Sequence, residues 1–549
     1  MRQRRDPNRL PPAFVAALGV VPVALVVVFY LFPLTALIGR ALGPGGLRGL
    51  GDTASSLLTP QMGRVVWFTA WQAAISTVAT LIVGLAPAYV IARYRFVGRQ
   101  FLLAALTAVF VLPTVVMGAA FIAVMPGPLE RSVWAILGAH IVFNLAVVVR
   151  LVGATWQHLD PRLESAAATL GAGPLRVLWH ITLPILRPAL AAAAAIIWLF
   201  TFTSFGVVRV LGGPGRTTLE VEIWRRATQL GDISAAALLS LAQLAVLIAL
   251  VAWSLRTQRR SQVSLSLLPQ RPQRRPRTGT ERAAVYTIAA ATAAVVLTPL
   301  ATMALRSLRS PDGFSLAAWT NLGSSEIRPG IRLGIDPWSA IGSSLQSALW
   351  ATVLAVVIGG LAALAIDTAG ARGRILDAGL MLPLATSAVT IGFGMLIAFA
   401  RPPIDWRAQW WLIPIGHALV AVPFVVRTTL GVLASVDPRL RAAAATLGAG
   451  PIRAWREVVV PFLWRPLVIS AGLAAAISLG EFGATSFLSR RGTETLPIII
   501  ERLLSRTGTV LQAQAFALAT ILAVLTTATV AAVDALIASR EDPVDAHRR

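Results

Sequence analysis

Cysteine is absent from the 549 residues, and so is lysine: all 48 basic residues are arginine. Without cysteine there is no disulfide, no thiolate metal site and no cysteine nucleophile. Charge is scarce too, at 13% of residues, where a soluble domain carries about 25%. No GxxxxGK[ST] phosphate loop, HExxH pair, nucleophile elbow or His/carboxylate cluster occurs, so the sequence predicts no catalytic residue, no metal site and no cofactor of its own. A net charge of +24 suggests nucleic acid at first sight. The arginines instead punctuate apolar runs, and no nucleic-acid partner is expected.

What is abundant is apolar sequence, 56% hydrophobic with a mean hydropathy of +0.73. A hydrocarbon core about 30 Å thick needs roughly 20 apolar helical residues. Twelve segments qualify: Phe14–Gly39, Val65–Ala92, Phe101–Met125, Val133–Val152, Ala189–Leu211, Ala235–Trp253, Ala283–Leu305, Ile341–Ile366, Ile375–Ala400, Trp411–Val432, Leu467–Leu488 and Ala515–Ile537. The first follows a basic stretch, Arg2 to Arg9, and is too long for a cleaved signal core, so it reads as a retained helix. The expectation is an all-α, polytopic protein in the lipid bilayer of the bacterial cytoplasmic membrane. The Arg bias of the loops Arg93–Arg99 and Arg256–Arg282 places both termini in the cytoplasm. Residues 256–282, with Pro269 and Pro272, read as a basic cytoplasmic linker that touches anionic lipid. It separates a first six-helix unit, residues 1–255, from a second, residues 283–549.

The two units repeat. Asp160–Pro184 and Asp437–Pro461 share 15 of 25 residues at a constant offset of 277. His140 and His417, Arg150 and Arg427, Phe205-Gly206 and Phe482-Gly483, and Thr218-Leu219 and Thr495-Leu496 keep the same offset. Such an offset means an internal duplication. An even number of spans per copy makes the copies parallel, related by an axis along the membrane normal. In each duplicated loop, at 160–188 and 437–465, Asp-Pro opens a short Ala-rich helix. Gly171-Ala172-Gly173-Pro174 and Gly448-Ala449-Gly450-Pro451 close it. Small residues let another protein approach closely, and two like loops suit a two-fold partner.

These loops resemble those of binding-protein-dependent ABC importer permeases, whose pattern is Glu-Ala-Ala, three residues, Gly, nine residues, Ile, one residue, Leu-Pro. Ala166, Ala167, Gly171, Ile181, Leu183 and Pro184 match it; in the second copy Ala443, Ala444, Gly448 and Pro461 match, with Val458 and Val460 as conservative replacements. The pattern's Glu is replaced by Ser165 and Ala442; Glu164 stands one residue earlier, and Arg441 takes its place in the second copy. The resemblance implies that these loops, with Gly173 and Gly450, seat in grooves of two ABC ATPase subunits that bind ATP. It also implies that an extracytoplasmic solute-binding protein delivers the cargo. The stretches Val65–Val78, Ala139–Leu151, Phe202–Trp224 and Ser478–Pro497 are similar to fused permeases serving thiamine and ferric iron, with thiamine ahead.

Polar residues inside the spans are candidate path residues. Glu481 beside Phe482, with Ser204 and Phe205 at the matching place, would suit a passing cation. His140 and His417 read as helix-packing hydrogen bonders. The outside segments Gly212–Asp232 and Arg490–Gln512 read as amphipathic surfaces for the binding protein. The rival architecture is an ion-driven secondary transporter, which twelve spans in two parallel copies would also suit.

Overall fold

The computed structural model describes residues 10–43, 45–213, 215–261, 273–310, 313–322, 326–328, 331–332, 336–401, 404–407, 409–506 and 508–538. The basic stretch Arg2–Arg9 and the middle of the linker, 262–272 with Pro269 and Pro272, lie outside them. Among the described residues the protein is almost wholly helical, with three two-stranded hairpins in loops.

Among the described residues nine helices are long and apolar enough to cross a membrane, and up to twelve if each of three bent pairs is one span. Caps fix where they begin. Thr59 Oγ1 accepts the Met62 amide at 3.2 Å ahead of Pro60–Arg93, and Asp336 Oδ1 accepts the Trp338 amide at 3.0 Å ahead of Pro337–Thr368. These two helices start 277 residues apart, each on a proline whose missing N–H would have had no intrahelical partner.

Phe101–Met125 and Ile375–Ala400, expected as spans, are each built from two helices joined at a sharp bend. Arg99–Val111 meets Thr114–Val124 at 110°, and Gly373–Ala385 meets Ala388–Ala398 at 100°. In the first elbow Pro113 offers no N–H and pushes Leu112 out of helical geometry; Leu112 is extended, with ψ at 145°. In the second, Ser387 Oγ restarts the helix by accepting the Thr390 amide at 3.1 Å. The fifth and eleventh spans are broken too. One stops at Phe202 and resumes at Gly206; the other stops at Gly480 and resumes at Thr485.

Packing depends on small residues. A Cβ built on Gly84 would lie 2.7 Å from Val148, and one on Gly359 would lie 2.7 Å from Val425. Val148 and Val425 are repeat equivalents, so each half brings its second and fourth spans together the same way, the close approach that membrane helices use in place of a hydrophobic driving force.

The halves are interlocked. Pro12–Leu42 lies against the second half's Pro337–Thr368 and Ala388–Ala398, while Gly279–Arg306 lies against the first half's Arg99–Val111 and Thr114–Val124. Each leading helix thus embraces the other copy.

Candidate functional site

Two places converge residues singled out in the sequence: the paired loops, and a cavity between the halves.

The loop helices are Pro161–Thr169 and Pro438–Thr446, again 277 apart. Asp160 Oδ1 accepts the Arg162 amide at 3.0 Å, and Asp437 Oδ1 the Arg439 amide at 2.9 Å. At the far end Gly171 has φ +83° and Gly448 φ +84°. That left-handed turn lets the Ala172 amide reach back to the Ala167 carbonyl at 3.0 Å, and Ala449 to Ala444 at 3.1 Å. The turns push Leu170 and Leu447 outward, and each is 88% exposed. Leu163, Leu440, Leu175 and Ile452 are exposed beside them. Ser165, Ala166 and Ala167 lie along the first helix, and Ala443 and Ala444 along the second. Gly173 and Gly450 open the next turn, which runs to Pro184 or Pro461.

Glu164 points inward. Its carboxylate pairs with Arg93 at 2.8 Å and accepts from Thr182 Oγ1 at 3.2 Å, tying the loop helix to the end of Pro60–Arg93. The second copy reverses the signs: Arg441 acts electrostatically on Asp367, near the end of Pro337–Thr368. The linker is fastened at this end as well. Arg274 pairs with Glu281 at 2.7 Å, lies 4.7 Å over the Tyr94 ring, and joins Arg93 and Arg95 through backbone hydrogen bonds. Those bonds hold the Glu281 carboxyl down at about 2, with Arg274 the largest cause.

The cavity, about 300 Å³, lies on the repeat axis. Its wall includes Phe143 and Val420, Phe200 and Ile477, Ser204 and Glu481, Phe205 and Phe482, and Gly206 and Gly483, pairs that stand 277 apart. The Phe205 and Phe482 rings stack on each other with centroids 5.0 Å apart. The four path candidates therefore come together, but in helix breaks and not within continuous spans. Glu481 is engaged by the break: its Oε1 accepts the Ala484 amide at 2.9 Å. Ser204 Oγ meets His140 Nε2 at 2.8 Å, while His140 Nδ1 meets Ser76 at 3.1 Å. His417 bridges Ser478 and Thr485, each at 2.7 Å. Both histidines brace the breaks.

Sequence reasoning missed Glu220. It is buried, lines the cavity and accepts from Gln243 Nε2. Within the amphipathic segments Gly212–Asp232 and Arg490–Gln512, the helices Leu219–Arg225 and Leu496–Leu504 turn inward, with Glu220, Glu222, Ile223 and Leu496–Ile500 buried. The polar face in the first half lines a separate pocket of about 190 Å³ with Arg131, Arg209, Arg216 and Arg225. There Arg209 pairs with Glu501 at 3.0 Å and lies 4.1 Å from the Trp224 ring centre.

Residues 80–261 match the family of binding-protein-dependent transport system inner membrane components. The thiamine transport system permease protein of Brucella abortus (strain 2308) is 29% identical over 527 residues, covering 92% of this chain and 93% of that protein. That of Escherichia coli (strain K12) is 25% identical, covering 79% and 82%. A putative 2-aminoethylphosphonate transport permease of Salmonella paratyphi A is 29% identical over 215 residues, covering 38% of this chain and 77% of that protein. With two copies of the loop pattern on a helical frame of up to twelve spans, the chain is similar over most of its length to binding-protein-dependent ABC importer permeases.

Proposed function

We propose that this permease supplies the whole translocation path of a thiamine importer, with both termini and both duplicated loops in the cytoplasm. Two ATPase subunits seat on the loop helices, and ATP binding and hydrolysis stay with them. Their closure moves the loops, and the bundle alternates between inward-open and outward-open around the cavity on the repeat axis. A solute-binding protein delivers cargo to the outer face, beside the pocket of Arg131, Arg209, Arg216 and Arg225.

The observation that carries the ATPase reading is the pair of leucines, Leu170 and Leu447, both 88% exposed on matching turns. Burying a leucine side chain contributes about 1.5–3 kcal/mol. Two such anchors, presented alike, fit two like grooves. Thiamine stands ahead of ferric iron because the Brucella abortus and Escherichia coli relatives, which match over most of the chain, are named for thiamine.

The test is ATP-dependent uptake of labelled thiamine by the permease co-expressed with its ATPase and binding protein. Accumulation that needs all three supports the reading. Uptake that runs on an ion gradient without the ATPase would replace it with the secondary-transporter reading, and uptake of ferric iron in place of thiamine would move the cargo.

A further inference from the structure

We infer that the central cavity recognises an organic cation and that Glu220 supplies the attracting charge. This rests on the reading of the cavity as the translocation path.

Six phenylalanines line the cavity, Phe110, Phe143, Phe200, Phe205, Phe424 and Phe482, with two carboxylates, Glu220 and Glu481, and no arginine or histidine among the lining residues. The two carboxylates are not equivalent. Glu481 is bound to the Ala484 amide, so part of its charge is spent on the helix break. Glu220 comes from outside the spans, on the short helix Leu219–Arg225, and is 1% exposed. Gln243 donates to its Oε1, while Oε2 has no hydrogen-bond partner among the described residues. The nearby Ser387 hydroxyl is directed to Thr390 Oγ1 at 3.1 Å. A buried carboxylate oxygen with no cation beside it is unfavourable by itself, and burial holds the Glu220 carboxyl up at about 8, so a cation entering the cavity is what draws out its charge. A cation entering the cavity would meet that oxygen on one side and phenylalanine faces on the others, and ring faces attract cations most strongly where water is excluded. An anion would meet two carboxyl groups and no positive charge among the lining residues.

The repeat sharpens the point. The position matching Glu220 is Pro497, and that matching Gln243 is Thr520. The pair therefore does not follow from the duplicated frame. It is an addition to one half, beside the site where the two halves' rings stack.

The whole transporter, permease with its ATPase and binding protein, should be assayed with thiamine as probe. Glu220→Gln is expected to lower the maximal uptake rate roughly tenfold or more, at unchanged KM because the binding protein sets it; Glu220→Asp should retain most of the rate. A Glu220→Gln rate equal to wild type overturns the inference. Because the chain has no cysteine, Glu220→Cys creates a single thiol. A small anionic methanethiosulfonate should restore its uptake, and a cationic one of similar size should not. Equal effects of the two reagents, with wild type unaffected, would show that charge is irrelevant and overturn the inference. ATP-driven import of an anion by wild type, with thiamine refused, would also overturn it while leaving the importer reading intact. Wild type that imports nothing with ATPase and binding protein present fails that reading and this one together.

Discussion

At the scale of single residues, the two turn glycines set a sharp expectation. A side chain at Gly171 or Gly448 meets nothing within 4 Å in this chain, but the backbone there is left-handed. A β-branched residue costs about 1–2 kcal/mol in that conformation. Gly171→Val with Gly448→Val should leave insertion and folding intact and abolish uptake, checked by membrane yield against transport rate. Normal uptake would remove the coupling role. Glu164 makes a milder case. Its pair with Arg93 is partly solvated, so Glu164→Gln should lower stability by at most about 1 kcal/mol. The exchange Arg93→Glu with Glu164→Arg should recover most of that in a thermal-melt assay. The loop residues were legible because the duplication prints their spacing twice. Glu220 was not: it stands in one copy, in a segment whose hydropathy reads as surface, and only its disagreement with Pro497 signals it.

At the scale of elements, the number of membrane segments was legible and their shapes were not. Hydropathy averages over a window of about 19 residues, so it registers Phe101–Met125 as one span although Pro113 turns it by 110°. Proline marked that elbow in the sequence. Nothing comparable marked the breaks after Phe202 and Gly480, which are stabilised by distant partners such as His140 and His417. The close approach of the second and fourth spans yields a further expectation. Gly84→Leu would force its side chain into Val148, and overpacking of this kind costs about 1–3 kcal/mol. The melting temperature of the purified permease should fall; an unchanged value would mean the helices separate freely. The linker clamp allows a pH statement. Glu281 is lowered to about 2, so its contribution is fully present above the ordinary carboxyl value, near 4.3, and is lost as pH falls toward 2. Protection of the Arg95 amide, which donates to the Arg274 carbonyl, against hydrogen exchange should therefore be insensitive to pH across the neutral range.

At the scale of the whole molecule, the exchanged leading helices mean that the halves are held by more than the linker. Residues 1–261 and 273–549, produced as separate chains in one cell, should assemble and co-purify. Either one alone should be degraded, since each leading helix then lacks the surface it covers. Recovery of a stable lone half by affinity purification would count against the interlock.

That exchange also has a bearing on descent. Once the duplicated copies had crossed their first helices, neither could be deleted, inverted or traded for a relative without stripping the other. The two copies became free to diverge around the cavity, as Glu220 against Pro497 and Glu481 against Ser204, while keeping one pattern at the loops.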